Sequence, residues 1–251
     1  MSESESRFLT LDGGRRLHYR MAGDGDVTVV FEAGLGMSGV CWGLVAPEIA
    51  TQARTVVYDR AGIGSSDDGP KPRTLTRLAA DLGALLDALP GPFVLVGHSW
   101  GGPIVRLRAA RARAVVLVDP SDEFATRPAA WQMAIAGPLT RTLAAAGIYR
   151  AAARIGSALP PELFAQFRDE NFGRRAARAL HDEVRHFRPG LAGLRATPPD
   201  RGGVPHTIIS AGNGAAHTEV DRHVIAAGSG HNVMFDDPGL VIDEIRRAIA
   251  Q

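Results

Sequence analysis

Residues 94–102 read VLVGHSWGG, an apolar run that closes on a serine, Ser99, fenced by glycines. Phe93-Val94-Leu95-Val96 has the continuous apolar character of a strand buried on both faces. The residues that follow, GPIVRLRAA from Gly102 onward, suit a helix. Strand, tight turn and helix therefore meet at Gly97-His98-Ser99-Trp100-Gly101, a G-x-S-x-G pattern in the context of a nucleophile elbow. Only glycine lets neighbouring backbone come so close, and the strain of such a turn lifts the serine Oγ above the sheet. The N-terminus of the next helix favours negative charge beside it. Ser99 is thus a candidate nucleophile rather than a turn serine.

The chain around this motif has 251 residues, the size of one large α/β domain. Hydrophobic residues make up 45% and charged residues 22%, an ordinary globular composition rather than a disordered one. A net charge of +1 gives no electrostatic case for nucleic acid or an anionic membrane as a partner. Cys41 is the only cysteine, which excludes an intrachain disulfide and a thiolate metal cluster. MSESESRFLT lacks the apolar core of a signal peptide, and no run of about 18 apolar residues exists to span a bilayer. The expectation is a soluble, cytoplasmic protein.

Working outward from the elbow, strand-like runs alternate with helical stretches, the pattern of a parallel sheet built from βαβ units. Residues 7–23 open as a hairpin around Asp12-Gly13-Gly14, and 27–34, 54–62, 92–99, 112–120, 205–212 and 222–231 read as further strands. Helices are expected over 40–50, 74–89 and 238–250. The second carries leucines at 3–4 spacing, with Thr74 as N-cap and Pro90-Gly91 as stop. Residues 121–200 break the rhythm: they hold no convincing strand and read as short helices split by Gly and Pro. The expected organisation is a core of residues 1–120 and 201–251 with a helical lid or cap over 121–200. Such an insertion covers strand ends, where α/β proteins bind ligands.

A serine needs a base within hydrogen-bond reach. Among the eight histidines, His18 falls in a strand, His181 and His186 in the lid segment, and His98 beside the serine but directed away from it. His231 follows the last strand in GSGHN, a glycine-rich loop able to carry an imidazole over the sheet, and is the candidate general base. An oxyanion needs two convergent N–H groups. Trp100, just after the nucleophile, is one source, and Leu35, in the Glu32-Ala33-Gly34-Leu35-Gly36 loop after strand 27–33, is the other.

FEAGLG, YDRAGIGSSD, LVGHSWGG, VLVDPSDE and GSGHNVMFDDP occur in an order that resembles bacterial serine esterase-like members of the α/β-hydrolase superfamily. The resemblance is weakest over 121–200. It implies the α/β-hydrolase fold, a mostly parallel central sheet with flanking helices and a helical lid insertion.

The resemblance also implies a triad carboxylate, often in a turn after the penultimate strand. Here that turn, Ser210 to His217, contains no acid; Asn213 supplies no charge, and Glu219 and Asp221 come later. Certain haloalkane dehalogenases of this fold carry their acid one strand earlier, which points to Asp119 in VVLVDPSDE. Asp122 is the alternative acid, with Asn213 or a Ser-His dyad behind it. Asp59 reads as an organiser of the loop after its strand, and Glu32 as structural support.

The function expected is a serine hydrolase of a carboxylic ester, thioester or lactone, working through Ser99, His231 and Asp119 and an acyl-enzyme. The alternatives are an acyltransferase or C–C hydrolase with the same machinery, or a non-catalytic ligand-binding module, favoured only by the acidless turn. Epoxide hydrolase and dehalogenase relatives need aspartate where Ser99 stands. No cofactor and no metal are expected, since GLG and GIG lack the G-x-G-x-x-G fingerprint and no Cys/His cluster is present. The partner expected is a small-molecule acyl substrate, with no nucleic acid and no membrane.

Overall fold

The computed structural model describes residues 4–122, 124, 130–212 and 220–251. The chain opens with β1 (Glu5–Thr10) and β2 (Arg16–Ala22), an antiparallel hairpin closed by a 3-10 turn at Asp12–Gly14. Next come β3 (Thr28–Glu32), α1 (Ala46–Ile49), β4 (Arg54–Tyr58), α2 (Leu75–Asp87), β5 (Phe93–His98), α3 (Gly101–Arg106) and β6 (Ala112–Val118). Three helices follow, α4 (Ala130–Ala145), α5 (Pro161–Asn171) and α6 (Arg174–Ala196), with a 3-10 stretch at Tyr149–Gly156. The chain then returns to the sheet as β7 (His206–Ala211) and β8 (Arg222–Ala226), and ends with α7 (Val233–Asp236) and α8 (Pro238–Ala250).

These strands form one eight-stranded sheet in the order β1-β2-β4-β3-β5-β6-β7-β8. β2 runs antiparallel to β4, and every pairing from β4 to β8 is parallel. Alternation along the central strands explains why both faces are covered. On β5, Val94 and Val96 join one cluster with Phe31, Trp42, Val116 and Ile245. Leu95 points the other way, into a cluster with Val30, Leu82, Ile104 and Val115. The leucine stripe of α2 is buried as its spacing requires, and Thr74 accepts from the Arg77 N–H as the N-cap.

The helix expected over 40–50 is instead a 3-10 turn, Gly39–Trp42, followed by the four-residue α1. Pro47 is the cause. It lacks an N–H and fits only a first helical turn, so a new helix starts there instead of one running through. Among the described residues no helix is long and apolar enough to cross a membrane.

Candidate active site

Ser99 occupies the sharp turn between β5 and α3 with φ +51°, in the left-handed region. Such a conformation costs about 1–3 kcal/mol for a non-glycine residue and persists only where its surroundings impose it. The surroundings are visible. The Ser99 N–H donates to the Val118 carbonyl at 3.1 Å, and its own carbonyl accepts from Gly102 at 3.0 Å and Ser121 at 2.9 Å. A Cβ at Gly97 would lie 2.7 Å from the Gly101 carbonyl oxygen, and one at Gly101 would lie 2.7 Å from the carbonyl oxygens of Glu32 and Ala33. Both flanking glycines are therefore close-approach positions between strand, helix and the loop after β3.

Among the described residues, only one other non-glycine has positive φ: Asp119, at +40°. It stands just past β6. Its N–H is tied to the Ile209 carbonyl at 2.7 Å, and one carboxylate oxygen accepts from the Ala211 N–H at 2.9 Å. The other oxygen lies 2.5 Å from His231 Nδ1, and His231 Nε2 lies 2.8 Å from Ser99 Oγ. Burial pushes the Asp119 carboxyl up, but hydrogen bonds from His231 and Ala211 outweigh it and hold the group below its ordinary value.

His231 sits in the loop between β8 and α7. That loop is fixed at two points: the Gly230 N–H donates to Asp236 at 2.8 Å, and His98 Nε2 donates to the His231 carbonyl at 3.0 Å. His98 is fully buried. Burial, and then the nearby His231, push its pKa down to about 3, so it acts as a neutral donor. His98, next to Ser99 in sequence, thus faces the backbone of His231 and not the serine.

The other sequence candidates go elsewhere. Asp122 accepts from the Phe124 N–H at 2.8 Å. Asp221 accepts from the His206 N–H at 2.8 Å and pairs with Arg201. Asn213 and Glu219 lie outside the described residues. Asp59 accepts from Gly39, Ser65 and His18 at 2.9, 3.1 and 2.7 Å, which pins the loop after β4. His18 also lies 2.9 Å from Ser6 Oγ, repeating the order of a serine–histidine–aspartate relay. Ser6, however, lies in the regular ladder of β1, paired with Arg20, and lacks the strained turn of Ser99. Relay geometry without an elbow does not make a comparable site.

Trp100 precedes the first turn of α3, where backbone N–H groups have no intrahelical partner. Its buried ring stacks on Phe187 of α6 with centroids 4.6 Å apart. Leu35 lies in the loop after β3, beside Gly36, whose Cα is roofed by Leu180 of α6.

Beneath this loop is a buried ionic group that the sequence did not reveal. Arg60 reaches Glu32 at 2.6 Å and Glu183 of α6 at 3.1 Å, and Arg73 reaches Glu183 at 2.6 Å. Tyr58 donates its hydroxyl to Glu32. Burial pushes Glu183 up, but Arg60 and Arg73 outweigh it and hold the carboxyl below its ordinary value. Arg60 stands in the YDRAG stretch, but its partner Glu183 is 123 residues away. Among the described residues no group of three or more His, Cys, Asp or Glu side chains is arranged to hold a metal.

With this geometry in view, the chain belongs to the alpha/beta hydrolase family, whose model matches residues 29–244. The uncharacterized protein YqjL of Bacillus subtilis (strain 168) is 35% identical over 118 residues, covering 45% of this chain and 47% of YqjL. The chain spans less than half the length of the curated relatives it matches. The solved structure of epoxide hydrolase CorEH without ligand superposes with a TM-score of 0.74 at 19% identity, covering 99% of both chains. Epoxide hydrolase VrEH1 from Vigna radiata gives 0.76 at 16% identity, covering 99% of this chain and 98% of its own. At such identities the likeness is one of fold.

Proposed function

We propose that this member of the alpha/beta hydrolase family is a serine hydrolase of carboxylic esters, thioesters or lactones. One observation carries the reading: Ser99 Oγ, both ring nitrogens of His231 and the Asp119 carboxylate form a continuous relay with steps of 2.8 and 2.5 Å. In this reading His231 Nε2 takes the Ser99 proton as Oγ attacks the substrate carbonyl. The tetrahedral oxyanion is held by the N–H groups of Leu35 and Trp100. His231 then gives its proton to the leaving alcohol or thiol, and the acyl group stays on Ser99. Water, deprotonated by His231, attacks the acyl-serine carbonyl, and the imidazolium returns that proton to Ser99 Oγ as the acid leaves. Asp119 fixes the tautomer and offsets the charge on the imidazolium.

The elbow residue also argues for acyl rather than epoxide chemistry, although the solved relatives named above are epoxide hydrolases. Attack of a serine on an epoxide carbon would leave an alkyl ether on Oγ. An ether has no carbonyl for water to attack, whereas an acyl-serine does. Helices α4 to α6 act in this reading as a cap that shapes the acyl pocket, with Leu180 and Phe187 facing the loop and elbow.

A screen of 4-nitrophenyl esters of graded chain length and of lactones, with Ser99→Ala as the blank, tests the proposal. Turnover in the parent and none in the blank is expected. Equal rates in both would reject it. Product analysis in added alcohol separates hydrolysis from acyl transfer by the same residues.

A further inference from the structure

The buried arginine under the loop after β3 does more than neutralise carboxylates. Arg60 Nη1 donates to the Ala33 carbonyl and Nη2 to the Gly34 carbonyl, both at 2.6 Å. A peptide unit is planar and trans, so its C=O and N–H point in opposite directions. Drawing the Gly34 carbonyl toward Arg60 therefore turns the Leu35 N–H to the opposite side, away from the arginine. That peptide lies beside the nucleophile, because a Cβ on Gly34 would be 3.4 Å from Ser99 Cβ. We infer that Arg60 is a positioning residue that sets the Leu35 N–H as an oxyanion donor, and that Glu183 couples this setting to the cap helix α6. The inference rests on the serine-hydrolase reading above.

The coupling follows from how Arg60 itself is held. Its guanidinium has five N–H donors in a fixed planar fork. Nε and Nη2 engage Glu183 at 3.2 and 3.1 Å, and Nη1 engages Glu32 at 2.6 Å, in addition to the two carbonyls. Glu183 is fully buried and also holds Arg73 at 2.6 Å. The plane of the fork, and with it the direction of two peptide carbonyls, is thus fixed from one side by a residue of α6. A shift of α6 that carried Glu183 away would free the fork to rotate and leave the Gly34 carbonyl held only by the longer bond from the Met37 N–H, at 3.2 Å.

Arg60→Lys tests this, because it keeps the buried positive charge between Glu32 and Glu183. One ammonium cannot span two carbonyls and two carboxylates, so the charge stays while the peptide loses its shorter anchor and keeps only the Met37 N–H. Three readouts are taken: the rate at which a fluorophosphonate probe labels Ser99, kcat and KM for a 4-nitrophenyl ester, and the melting temperature. Loss of a whole oxyanion donor lowers kcat about 100- to 1000-fold, so misdirecting one is expected to cost about 10- to 100-fold. The loss should fall on kcat, with KM within about twofold, and probe labelling should slow in parallel. A purely structural Arg60 would give a lower melting temperature with unchanged kcat and labelling, and would overturn the inference. If Arg60→Lys does not fold, Glu183→Gln is read the same way, with slower labelling and lower kcat expected, and unchanged values overturning it. An unlabelled parent protein rejects the serine-hydrolase reading and this inference together. A labelled parent with an equally fast Arg60→Lys rejects this inference alone.

Discussion

The carboxylate of Asp119, at the end of β6, lies 2.5 Å from Nδ1 of His231, which comes from the loop after β8. The proposed relay therefore draws its acid from the end of the β6 strand and not from the turn after β7. In neutral histidine the nitrogen that accepts the serine proton must lack hydrogen, so the other must carry it and needs an acceptor. Asp119→Asn replaces that acceptor with an amide that stabilises the wrong tautomer. The expected result is a fall in kcat of about 1,000- to 10,000-fold, with a melting temperature close to that of the parent. Near-parental turnover on a 4-nitrophenyl ester would place the acid elsewhere.

The elbow is packed to its limit. An alanine at Gly101 would put its Cβ 2.7 Å from the carbonyl oxygens of Glu32 and Ala33, which are backbone atoms without a side chain's freedom to yield. Gly101→Ala is expected to lower stability by about 1–3 kcal/mol in urea denaturation and to lower activity as well, by displacing the loop that carries Leu35. An unchanged urea midpoint would contradict this packing.

His98 gives stability a defined pH dependence. Its pKa falls from 6.5 to about 3 because it is buried, and because His231 is near. Well above pH 6.5 it is uncharged both folded and unfolded. Below pH 6.5 the unfolded chain takes up a proton that the folded chain refuses, so stability falls with pH until about pH 3, by up to about 1.4 kcal/mol per pH unit. His98→Gln removes this group. Between pH 7 and pH 5 the variant should lose less stability than the parent in urea titrations. Equal losses would show that His98 is not kept neutral by the fold.

Leu180 tests the cap. It projects from α6 over Gly36, with its Cδ1 3.1 Å from where a Gly36 Cβ would stand. Leu180→Ala is expected to shift the preferred acyl chain length of 4-nitrophenyl esters toward longer chains while Ser99 still reacts with a fluorophosphonate. An unchanged chain-length profile would count against α6 as a wall of the pocket.

What could be read from the sequence was what is local. VLVGHSWGG announces strand, turn and helix within nine residues, and GSGHN marks a glycine-rich loop after a strand. The parallel strands declare themselves because both of their faces are buried. The helix over 40–50 misled because its apolar spacing outweighed one proline. The acid was ambiguous for a different reason. Asp119 and Asp122 sit three residues apart in VVLVDPSDE, and it is Asp119, with its positive φ and its tie to Ala211, that meets His231. Arg60 and Glu183 were beyond the reach of pattern, since charged residues are expected at the surface and these meet in the interior across 123 positions.

The most direct measurement is reaction of the folded protein with a fluorophosphonate probe, followed by peptide mass mapping. A single adduct on Ser99, absent from Ser99→Ala and strongly slowed in His231→Ala, is the expected result. A folded protein that stays unlabelled, or carries the adduct on another serine such as Ser6, would contradict a nucleophile at the elbow.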